Sequence, residues 1–147
     1  MKPLVIAFTL LVSVFTTTTS FANPTDVSPL ALKSFSKTFN GATETTWTYE
    51  NNLYKVQFSV NGQYANAYYS TEGNMVLMTR NISALQLPVA LQANLKNDYE
   101  NYWVSGIVEA SFEDVVQYYV TLESADQIVI LKSASTTKWF THEKINK

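Results

Sequence analysis

Apolar residues along this chain follow two periods, and the switch between them marks out the elements. From Val27 to Phe39, the residues Leu30, Leu32, Phe35 and Phe39 recur at helical spacing, with Ser28 placed as N-cap and Pro29 at the first helical position. Asn40-Gly41 ends that helix, glycine suiting a left-handed cap. From Glu44 the period becomes two. Thr46 to Tyr49 reads as a strand and Glu50-Asn51-Asn52 as a turn. Leu53 to Val60 reads as a half-buried strand with Tyr54, Val56, Phe58 and Val60 on one face and Lys55, Gln57 and Ser59 on the other. Asn61-Gly62 is a two-residue hairpin signal. Gln63 to Ser70 and Met75 to Arg80 follow as strands around the turn Thr71-Glu72-Gly73-Asn74.

The order then repeats. Leu87 to Tyr99, with Pro88 near its start and Leu91, Leu95 and Tyr99 on one face, predicts a second helix. Trp103 to Glu109 reads as a strand, Ala110 to Glu113 as a connection, Val115 to Glu123 as a strand, and Gln127 to Lys132 and Thr137 to Thr141 as the last pair. Ser28-Pro29-Leu30-Ala31-Leu32 echoes Leu87-Pro88-Val89-Ala90-Leu91, Trp47 falls near Trp103 after each helix, and Tyr54 to Phe58 matches Tyr118 to Leu122. Such self-similarity signals an internal duplication. The expected fold is α+β: tandem α-β-β-β-β repeats, about 27–82 and 86–143, forming one curved antiparallel sheet with two helices on one face.

The N-terminus changes the domain count. Lys2, the apolar run Leu4 to Phe15 and the small residues of Ser20-Phe21-Ala22 fit a cleavable signal peptide over residues 1–22. The run is shorter than the roughly 20 residues that span a bilayer. Residues 23–147 then form a single domain. With no cysteine in the chain, there is no acylated cysteine, disulfide or Cys-based zinc site. The expectation is a soluble periplasmic or secreted protein, with no membrane contact after cleavage.

Composition and charge remove further classes. The net charge of −2 becomes −3 once Lys2 is cleaved, and no basic run exists, so nucleic acid is not an expected partner. His142 is the sole histidine and lies beside Glu143 and Lys144 near the C-terminus, which reads as a solvated residue rather than a triad base. The acidic groups Asp98 with Glu100, Glu109 with Glu113 and Asp114, and Glu123 with Asp126 sit at expected helix ends and turns. Asn97 to Asn101 lacks the glycine and spacing of a calcium loop, and no Gly-rich phosphate loop is present. No cofactor, metal or catalytic residue is assigned.

The repeat, the Trp47 opening of the first strand, the Tyr54-Lys55-Val56-Gln57-Phe58 strand, the Glu72-Gly73-Asn74 turn and Leu87-Pro88 together resemble the PepSY-like, β-lactamase-inhibitor-protein-like (BLIP-like) family of exported Bacteroidetes proteins. The resemblance covers Val27 to Ile145, with Ser133-Ala134-Ser135 departing from the family's Asp/Gly-type turn. It implies a saddle-shaped sheet whose concave face docks a partner protein. The aromatics are the remaining signal, since Tyr and Trp anchor interfaces and adjacent Tyr68-Tyr69 and Tyr118-Tyr119 must send one ring to each sheet face. Trp47, Tyr68, Tyr69, Tyr119 and Trp139 are the candidate partner-binding residues. The expected function is a non-enzymatic binding module for a protein or peptide, with a small-ligand or glycan carrier as the alternative.

Overall fold

The computed structural model describes residues 26–113, 115–133 and 135–147; the expected signal peptide (1–22) lies outside them. In chain order the elements are α1 (Pro29–Thr38), β1 (Thr43–Glu50), β2 (Leu53–Val60), β3 (Gln63–Tyr69), β4 (Met75–Asn81), α2 (Val89–Asp98), β5 (Trp103–Phe112), β6 (Val115–Glu123), β7 (Gln127–Ser133) and β8 (Trp139–Asn146). All eight strands form one sheet in sequence order, every neighbouring pair antiparallel. This is the expected α+β architecture of one sheet with two helices.

Turn chemistry sets the register of the hairpins. Asn51 and Asn52, with φ of 50° and 63°, close β1–β2, while Asn61 and Gly62, at 51° and 76°, close β2–β3. Two successive left-handed residues match the right-handed twist of the strands they join. In the β3–β4 turn Gly73 has φ +84°, and a Cβ there would lie 2.7–2.8 Å from backbone and Cβ atoms of Leu30. Only glycine lets α1 come this close.

Both helices lie on the same sheet face, over two separate cores. Under α1, Ala31 and Phe35 pack with Trp47, Val56, Phe58, Ala67 and Tyr69; under α2, Leu95 packs with Ile107, Val120, Leu122, Val129 and Leu131. The two cores meet at β4–β5, where Arg80 stands opposite Glu109. Its Nε and Nη2 donate to the two carboxylate oxygens at 2.7 and 3.2 Å. That bidentate geometry fixes the joint between repeats.

Several expectations are corrected in detail. Ala110 to Phe112 is strand rather than connection: Ala110 is fully buried on the sheet, and Phe112 pairs with Val115. The last strand starts at Trp139 and runs to Asn146, because β7 supplies ladder partners from Gln127 to Ser133 for a sequence too polar to suggest them. Ser28 holds the N-cap position of α1 without capping it; its hydroxyl donates to the Thr71 carbonyl at 3.0 Å, tying the helix to the β3–β4 turn. The partner of Trp47 in the duplication is Ile107, not Trp103: they stand opposite Val56 and Val120, which the Tyr54–Phe58 and Tyr118–Leu122 alignment equates. Trp103 is 53% exposed, with the Lys147 ammonium 5.1 Å from its ring centre.

Candidate functional site

Strand alternation sorts the five sequence-predicted site residues between the faces. Trp47 and Tyr69 point under α1, their ring centres 6.0 Å apart. Trp139 packs against the second core and its indole N–H donates to the Leu91 carbonyl at 3.0 Å. These three are core residues, because helices packed over a sheet need large side chains beneath them. Tyr68 and Tyr119 reach the opposite face and join one cluster there with Leu77 and Ala110. The structure thus brings two of the five together and moves three away.

The open face is unusual for an uncovered antiparallel sheet, which normally alternates to polar residues outward. Around the cluster lie Leu53, Val76, Val108, Phe112 and Ile130, partly buried. Each tyrosine has a lysine directly across the ladder, Lys55 opposite Tyr68 and Lys132 opposite Tyr119. The ammonium groups stand 5.8 and 5.7 Å from the ring centres, within range of a cation–π attraction. Tyr68 is 8% and Tyr119 4% exposed, so the rings form a floor and the lysines a rim. His142 adds an edge contact to Tyr119, with ring centres 5.8 Å apart at 79°. A register shift between Ile130 and Leu131 adds an unpaired residue to β8 at His142.

Burial pushes both phenols up to about 12, helped at Tyr68 by the Glu50 charge and opposed there by a Thr79 hydrogen bond. Near neutral pH they are hydrogen-bonding, uncharged groups, unsuited to act as bases or nucleophiles. Lys55 also meets Glu50 at 3.5 Å, an exposed pair of small energetic weight. The face therefore offers an apolar floor, two neutral hydroxyls and two cations.

Among the described residues, no group of three or more His, Asp or Glu side chains is placed to hold a metal. Of the acidic groups singled out from sequence, Glu109 is held by Arg80 and Glu123 by Lys147 at 3.0 Å. Among the described residues no helix is long and apolar enough to cross a membrane. Sequence reasoning missed Leu77, Ala110 and the two lysines. Leu77 sits in the unbroken apolar run Met75 to Met78 and Lys132 ends the run Ile128 to Leu131, where alternation carries no signal, whereas Lys55 read as an ordinary member of the polar face with Gln57 and Ser59.

Comparison with solved structures places this geometry. A DUF2874 family protein from Bacteroides ovatus ATCC 8483 superposes with a TM-score of 0.71 at 17% identity, covering 82% of this chain and 87% of that one. A BLIP-like protein from Bacteroides fragilis NCTC 9343 gives 0.69 at 18% identity, covering 82% and 86%. The fold is BLIP-like. A DUF2874 family protein from Bacteroides uniformis ATCC 8492 agrees, at 0.70 and 14% identity over 80% and 88% of the two chains. No family model and no curated protein matches the chain. At these identities the likeness is one of fold.

Proposed function

We propose that this protein is an exported, non-enzymatic binding module of the BLIP-like and PepSY-like kind, holding a protein or peptide partner on the open sheet face in the periplasm or outside the cell. The observation that carries the reading is the cluster of Tyr68, Leu77, Ala110 and Tyr119 on the sheet face opposite the two helices, ringed by the half-buried Leu53, Val76, Val108, Phe112 and Ile130. Tyrosine is among the residues enriched in interface hot spots, and a half-buried apolar ring with lysines above it is a surface that a partner can cover. The signal-peptide pattern of residues 1–22 supports export. A chain with one histidine and no cysteine has little with which to build a nucleophile–base pair, and this supports binding over catalysis.

The test begins with a partner captured from periplasmic extract and purified, then titrated calorimetrically. Val108→Arg and Lys132→Glu, both on the open face, are expected to weaken that partner at least tenfold with the unfolding midpoint unchanged. Leu85→Lys, at a helix-side position 85% exposed, leaves affinity as it was. Full affinity in both open-face variants sinks the reading.

A further inference from the structure

A second recess lies on the helix-bearing side, where the two repeats join. One row of directly opposed residues crosses four strands there: Phe58 on β2, Ala65 on β3, Arg80 on β4 and Glu109 on β5. Ala65 is the small member between a phenyl ring and a guanidinium, so the row has a depression at its middle. Phe39 from the end of α1, Val60 and Met78 add apolar walls, and Asn61, Gln63 and Tyr64 a polar edge, to a cavity of about 330 Å³. That volume is at the lower end of small-ligand sites. In the second repeat the corresponding row is Leu122, Val129 and Lys144. Val129 fills the place of Ala65, and among the described residues β8 is the edge strand of the sheet. The cleft lies at the joint, where Glu109 on a strand of the second repeat closes it.

We propose that this cleft is a binding site for a small uncharged amphiphile: an apolar body with one hydrogen-bond acceptor such as a ketone or hydroxyl. The apolar body lies against Phe39, Phe58, Val60, Ala65 and Met78. The acceptor meets Arg80, which uses Nε and Nη2 on Glu109 and has further donors among its five N–H groups. Charge selects against ions of either sign. An anion would meet the Glu109 carboxylate and a cation the Arg80 guanidinium, whereas the pair together is neutral. Because the cleft opens on the helix side, the inference stands or falls separately from partner binding on the open face.

The experiment titrates the purified protein with Prodan, an uncharged naphthalene bearing one ketone, and in parallel with the anionic 1-anilinonaphthalene-8-sulfonate. Saturable, blue-shifted Prodan fluorescence is expected, with the sulfonate at least tenfold weaker. Ala65→Leu, which fills the depression, is expected to weaken Prodan at least tenfold. Should Ala65→Leu fail to fold, amide chemical-shift mapping on the unmodified protein decides the matter, with perturbations expected at Ala65, Met78 and Arg80. Absence of saturable binding, equal affinity for both dyes, full affinity in folded Ala65→Leu, or perturbations centred on Tyr68 and Tyr119 would each overturn the proposal.

Discussion

The two repeats bury the same layer with different side chains. Under α1, Phe35 is surrounded by rings, its centre 5.5 Å from Trp47, 5.1 Å from Phe58 and 6.4 Å from Tyr69, all near edge-on. Such tilted pairs add to plain area burial. Under α2 the matching positions are aliphatic: Ile107 replaces Trp47 and Leu122 replaces Phe58 in the register. The third strand makes the sharpest contrast. Tyr69 and Ser133 each lie two residues past the partner of Val56 or Val120, and Ser133 stands opposite Trp139. The first repeat takes its large ring from its third strand; the second takes it from its fourth, over a serine. In a close-packed layer a small residue at one position needs a large neighbour to fill the space, so the positions that supply the ring trade places between the repeats. The polar atoms fare differently. The Trp139 N–H finds a helix carbonyl, while the buried Tyr69 hydroxyl has no hydrogen-bond partner.

Alkaline pH probes this contrast with the largest effect. Burial pushes Tyr69 from 10.0 to about 12, as it does Tyr68 and Tyr119 on the open face. In the unfolded chain these phenols ionise near 10, so the folded state gains nothing from them below that pH and loses stability between about 10 and 12. Each of these raised phenols then contributes about 2 kcal/mol of destabilisation by the top of that range. Urea unfolding midpoints are expected to be flat from neutral pH to about 9 and to fall steeply above 10. Tyr69→Phe should make the fall shallower by the share of one strongly raised phenol, about 2 kcal/mol at pH 12. An unaltered fall in that variant would show that the first repeat's core admits the phenolate.

The helix anchors differ as well, and glycine substitutions separate them. The first repeat holds α1 chiefly by close approach at Gly73, beside the single Ser28 to Thr71 hydrogen bond. The second holds α2 by side-chain hydrogen bonds, with Asn94 Nδ2 donating to the Thr137 carbonyl at 2.7 Å and Trp139 donating to Leu91. Gly73→Ala combines a left-handed residue with a clash against Leu30, and is expected to destabilise by about 2–5 kcal/mol. Gly62→Ala has a similar φ of +76° and nothing within 4 Å of the new Cβ; about 1 kcal/mol is expected there. The difference in denaturant midpoints measures the helix contact alone. Equal losses would mean that α1 lifts off the turn at no cost.

What was legible in the chain was local. Asn-Gly at 61–62, the alternation of Leu53 to Val60 and the Pro-led helices each carry their own geometry, so the duplication and the meander followed from them. What was illegible depends on pairing across the sheet. Ala110 to Phe112 reads as connection until β4 and β6 flank it, and the tail beyond Thr141 is strand only because β7 offers a ladder. The candidate site suffered from the same gap. Alternation shows that Tyr68 and Tyr69 face opposite ways but not which face the helices cover, and that choice sent Trp47, Tyr69 and Trp139 to the core.

The smallest effects test the trade between Tyr69 and Trp139 directly. Trp139→Phe shrinks the ring and deletes the N–H that meets Leu91, and is expected to destabilise by about 1–3 kcal/mol. Tyr69→Phe keeps the ring and deletes a hydroxyl that has no partner in the core. Its removal relieves a desolvation penalty, and a gain of about 0.5–1 kcal/mol is expected at neutral pH. The two residues belong to separate cores, so the double variant should equal the sum of the singles to within about 0.5 kcal/mol. Denaturant midpoints with unchanged m-values read all three. A loss in Tyr69→Phe would mean that a buried water serves the hydroxyl, making the two repeats alike in satisfying their large polar ring and different only in which strand supplies it.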